Sequence, residues 1–60
     1  MTLQQYFDEY HLNDTDGNYD DRWEYASCFV CDAQESKELS YYTQQQIYSF
    51  AEKVYNVEDL

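Results

Sequence analysis

Leu3, Tyr6, Phe7 and Tyr10 recur at i, i+3, i+4 and i+7, with Gln5, Asp8 and Glu9 on the other side. That period predicts an amphipathic helix over residues 2–12. Thr2 is placed to cap it, with Gln5 three residues on as the second half of a capping box. A second helical stripe, Ile47, Phe50, Ala51 and Val54 with Tyr55 beside it, predicts a helix over residues 43–56. Thr43 and Gln46 repeat the capping-box spacing, and Asn56 reads as the stop.

Between these helices the pattern changes. Residues 13–21 have no apolar period, and Asp16-Gly17 is a turn signal, so the segment reads as an acidic loop. Residues 22–31 hold Trp23, Tyr25, Phe29 and the β-branched Val30 and read as a strand, with a helix as the rival reading. Trp23, Tyr25, Ser27, Phe29 and Cys31 would then share one face. Residues 32–36 read as a connection, and Lys37 to Tyr42 as a second strand closing a hairpin. Val57 to Leu60 is a short acidic tail. The expected fold is α+β: N-terminal helix, acidic loop, β-hairpin, and a C-terminal helix packed on one face of the hairpin. Neither a hairpin nor an isolated helix stands alone, so all of it belongs to one small domain over residues 1–60.

Composition supports a folded chain. Tyr, Phe and Trp make up 20% of the 60 residues, there is no proline and there is one glycine. Disordered acidic chains are poor in aromatics and rich in Pro and Gly. Aliphatic side chains are few, so the core has to be largely aromatic.

Charge is the most unusual property. Thirteen Asp and Glu stand against three Lys and Arg, a formal net charge of -10. Repulsion on that scale opposes compaction. It also exceeds the magnitude of about 2–8 that solubility asks of a small domain. The excess of acid disfavours direct binding to nucleic acid or to anionic lipid. There is no basic and apolar leader pattern and no apolar run near the about 20 residues that span a bilayer. The expected location is the cytoplasm, where Cys28 and Cys31 stay reduced.

Few residues offer chemistry. Cys28-Phe29-Val30-Cys31 is a CxxC, but a structural zinc needs four ligands and no second pair exists. On a strand the two sulfurs point to opposite faces, so buried free thiols are expected. Asp14-Thr15-Asp16-Gly17 has the flavour of a calcium loop. Aligning Gly17 with the loop glycine puts Leu12 and Trp23 where ligands belong, so no cation site follows. His11 is the single histidine and is expected to be exposed at a helix end. No metal, cofactor or enzyme activity is expected.

The acids themselves are the candidate site. Seven of the thirteen lie between Asp8 and Glu24, opposed by Arg22 alone. Asp14, Asp16, Asp20, Asp21 and Glu24 are expected to carry the electrostatics, with Asp8 and Glu9 adding to the field. Tyr19 is the expected exposed anchor, since Tyr and Trp are frequent at interface hot spots. Asp32, Glu35 and Glu38 form a second group, and Glu52, Glu58 and Asp59 a third.

In size, charge and tyrosine content the chain resembles the small acidic inhibitors of phages and mobile elements, the DNA-mimic anti-restriction and anti-CRISPR proteins. The resemblance implies a non-enzymatic inhibitor. Its partner would be a basic nucleic-acid-binding protein, a CRISPR-Cas effector or a restriction enzyme, whose DNA recognition it blocks. The alternative expectation is a small adaptor or homodimer whose charge serves only solubility.

Overall fold

In the computed structural model, which describes all 60 residues, the chain forms three α-helices joined by 3-10 turns. Helix α1 spans Leu3–Tyr10, α2 spans Tyr19–Glu35 and α3 spans Gln44–Tyr55. The turns cover Leu12–Thr15 and Lys37–Leu39.

Both predicted capping boxes form. Thr2 Oγ1 accepts from Gln5 N–H at 3.1 Å, and Gln5 Oε1 accepts from Thr2 N–H at 2.8 Å. Thr43 and Gln46 repeat this at 3.1 and 2.8 Å. Asn56 ends α3 in the left-handed region at φ 56, ψ 54. Val57 N–H then closes back on the Glu52 carbonyl at 3.0 Å. Val57 is itself buried, the apolar contact that accompanies this type of stop.

The hairpin is the correction. There is no strand in the chain: residues 22–31 lie inside α2, and residues 37–42 form a 3-10 turn and a bend. The fold is all-helical rather than α+β. The reason is in the buried face of α2. Ala26, Phe29, Val30 and Ala33 are all buried, at i, i+3, i+4 and i+7. A strand would have sent Phe29 and Val30 to opposite faces. A helix puts both in one core. Its start is also well specified. Asn18 Oδ1 accepts from Asp21 N–H at 2.9 Å, and Asp20 and Asp21 occupy the first turn, where negative charge meets the positive end of the helix dipole.

Gly17 lets the chain enter α2. Its φ is +113, and a Cβ there would come within 2.9 Å of Asp21 Oδ2. L-residues avoid that backbone region.

One cluster of 11 buried residues forms the core. Its centre is aromatic, as composition requires. Phe7 meets Tyr55 edge-on at 5.6 Å between centroids, and Phe29 packs against Phe50 at 5.6 Å. Edge-on and tilted pairs at this separation are favourable beyond the area they bury. Leu39 reaches the core from the second 3-10 turn. Tyr42 ties the same link to α1, its hydroxyl accepting from Leu3 N–H at 3.2 Å. The Tyr41 hydroxyl donates to the Met1 carbonyl. No helix is long and apolar enough to cross a membrane.

Candidate interaction surface

The start of α2 gathers the strongest acidic group. Asp16, Asp20, Asp21 and Glu24 are all exposed. Asp20 and Glu24 are one helical turn apart, neighbours at about 5–6 Å between Cβ atoms. This replaces the extended spacing expected of a loop: Tyr19, Asp20 and Asp21 are helical.

Arg22, the one cation of the segment, is turned away from these carboxylates. Its Nε donates to the Tyr55 carbonyl at 3.2 Å and its Nη1 to the Gly17 carbonyl at 3.0 Å. The guanidinium also lies 5.8 Å from the centre of the Tyr19 ring. No Lys or Arg in the chain pairs with a carboxylate; the only ion pairs are those of His11.

Tyr19 is 43% exposed, yet its hydroxyl is engaged. It donates to the Glu58 carbonyl at 3.3 Å and accepts from Glu58 N–H at 3.0 Å. Trp23 Nε1–H also donates to the Glu58 carbonyl, at 3.2 Å. These bonds bring the acidic tail to the first turns of α2. The Glu58 backbone thereby lies against Tyr19 and Trp23, and Glu58 and Asp59 are both exposed there. Sequence reasoning had set both apart, because the contact spans 39 residues and no local pattern encodes it.

Asp14 belongs elsewhere. Its Oδ2 lies 3.2 Å from His11 Nδ1, and Asp32 Oδ2 lies 3.2 Å from His11 Nε2. His11 is buried rather than exposed at a helix end: its ring packs edge-on against Phe29 at 5.3 Å. Only the imidazolium presents N–H to both carboxylates. The acids face different ring nitrogens, so they do not converge on one point. No three His, Cys, Asp or Glu side chains are arranged to hold a metal ion. Asp14 and Thr15 lie in the 3-10 turn, and Asp16, in extended conformation, leads on to Gly17.

Asp8 and Glu9 lie on the solvent side of α1, and Asp8 accepts from Gln4 Nε2 at 2.9 Å. A second acidic group does form, without a hairpin. Asp32, Glu35 and Glu38 line an open groove with Tyr6 and Tyr10. The two tyrosine rings are 4.9 Å apart. Burial, then the negative field of Asp32, Tyr10, Glu38 and Glu35, pushes the Tyr6 hydroxyl above its ordinary pKa.

Cys28 and Cys31 are free but exposed, against the expectation of buried thiols. A helix sets residues three apart on one face, where a strand would have split them.

No family model, curated protein or solved structure matches the chain.

Proposed function

We propose that the chain is a non-enzymatic inhibitor that docks an acidic face on a basic nucleic-acid-binding protein and blocks its recognition of DNA. A CRISPR-Cas effector is the favoured partner and a restriction enzyme the next. The docking face is the start of α2, with Asp16, Asp20, Asp21 and Glu24, extended by Glu58. Asp8 and Glu9 add to the long-range field.

One observation carries this reading. The carboxylates of this face have no cationic partner within the chain, because Arg22 is bonded to backbone carbonyls instead. A surface meant only for solubility gains from interspersed charges of both signs. A single-sign face instead steers a basic partner and raises its association rate. Trp23, 38% exposed within that face, adds an aromatic contact of the kind that anchors interfaces.

The test is competition. The purified chain is titrated against a Cas effector bound to its target duplex, across a series of salt concentrations. Displacement of DNA that weakens as salt rises supports the reading. Simultaneous binding of DNA and chain, or affinity that strengthens with salt, refutes mimicry. Asp20→Asn with Asp21→Asn should slow association; an unchanged on-rate removes these two residues from the site.

A further inference from the structure

Tyr6 and Tyr10 stand one turn apart on α1, with their rings tilted by 54° at 4.9 Å between centroids. Tyr6 is half-buried and fixed edge-on against Phe29 at 6.0 Å. Tyr10 rests on that support and is 58% exposed, so its ring is open to the groove it lines.

The groove also gathers negative charge from two sources. Glu35 and Glu38 line it and are exposed, and neither takes part in an ion pair. Asp32 lines it too but is turned to His11. Lys37 is the one cation there, and it pairs with no carboxylate. The second source is the helix itself. α2 ends at Glu35 with no basic residue in its last turn, so the negative pole of its dipole meets no cation from that turn.

An open aromatic face, two unpaired carboxylates and a bare helix end thus ask for a positive charge at one place. The acids do not converge as the ligands of a bare metal ion do. A broad, flat cation suits the groove better. Guanidinium spreads its charge over a plane, stacks on an aromatic face and forks toward carboxylate oxygens. Ammonium is a compact, strongly hydrated point charge. The chain makes the same kind of contact within itself, where the Arg22 guanidinium lies 5.8 Å from the centre of the Tyr19 ring.

We propose that the groove between α1 and the end of α2 binds an arginine side chain of a partner protein, stacked on Tyr10 with Glu35 and Glu38 facing its guanidinium. This site is separate from the docking face at the start of α2. Asp20 and Glu35 are about 22 Å apart along the helix, at about 1.5 Å per residue.

An acetylated, amidated Gly-Arg-Gly peptide titrated into the full chain tests this, read by NMR of the aromatic rings. The expected result is a saturable shift of the Tyr6 and Tyr10 ring resonances. The neutral citrulline peptide should leave them in place, and the lysine peptide should bind about threefold more weakly. Tyr10→Leu should weaken arginine binding about two- to fivefold, while Tyr10→Phe keeps it, because the ring face and not the hydroxyl makes the contact. Glu35→Gln with Glu38→Gln should weaken it as well. These side chains are exposed, so far-ultraviolet dichroism should not change. Equal binding of the lysine or citrulline peptide, undiminished binding by Tyr10→Leu, or shifts confined to the start of α2 would overturn the proposal. The titration contains no nucleic-acid-binding protein, so its failure and that of the competition experiment are distinguishable.

Discussion

Asp32 and His11 face each other across the core edge, with Asp32 Oδ2 3.2 Å from His11 Nε2. The contact joins the residue that ends α1 to the last turns of α2, and Asp14 holds the opposite side of the same ring. Both carboxylates are partly exposed, at 42% for Asp14 and 54% for Asp32, so solvent screens each pair. Asp32→Asn should cost about 0.5–1 kcal/mol of stability. A cycle with His11→Gln, measured by urea unfolding, should return a coupling of that order; zero coupling would show the pair to be incidental.

Tyr55 makes the opposite prediction. It is fully buried and its hydroxyl has no hydrogen-bond partner. An unpaired buried hydroxyl costs about 1–3 kcal/mol, so Tyr55→Phe should raise stability by about 1 kcal/mol. A lower thermal midpoint would contradict this.

The same residue sets an alkaline limit. Burial, then the field of Asp14, Cys28 and Asp32, raises the Tyr55 pKa above its ordinary value of 10.0. The folded state therefore holds this proton more tightly than the unfolded state. Its contribution is fully present below about pH 10 and is lost as pH climbs from there toward the folded pKa. Chemical denaturation between pH 8 and 12, read with Tyr55→Phe alongside, should show the variant losing less stability. Parallel curves would rule Tyr55 out as the cause.

Gly17→Ala should destabilise by about 1–3 kcal/mol, through a backbone L-residues avoid and a Cβ that meets Asp21. Thermal unfolding measures it. A stabilised alanine variant would mean that the turn relaxes freely.

Tyr19→Phe separates architecture from recognition. It removes both hydroxyl bonds to Glu58 and keeps the ring. The expected stability loss is about 1 kcal/mol or less, because the bonds are exposed. If Glu58 contributes to the acidic face, partner binding should weaken by more than the stability change alone explains. Binding that is unchanged would confine Tyr19 to a structural role.

The ends of α1 and α3 were legible because capping is local: Thr2 with Gln5, Thr43 with Gln46, and Asn56 each act within a few residues. The identity of α2 was also written in Ala26, Phe29, Val30 and Ala33. Trp23 and Tyr25 obscured it, since aromatic side chains favour strands and both remain exposed on the helix. Misreading that element also misplaced the cysteines. The acids of residues 16–24 were visible as a run, whereas Glu58 was not, because only tertiary packing brings the tail back. His11 likewise looked solvent-bound, and its two partners come from different elements.

Arg22 sets a ceiling on how acidic this fold can become. Its guanidinium holds the carbonyl at the end of α3 and the carbonyl of the Gly17 turn. A cation suits the negative pole of a helix, and no neutral side chain supplies the same forked donor with charge. Removing this positive charge would make the surface more negative and at the same time unfasten α3 from the entrance of α2. The chain's most basic residue is thus the rivet that makes its acidity tolerable.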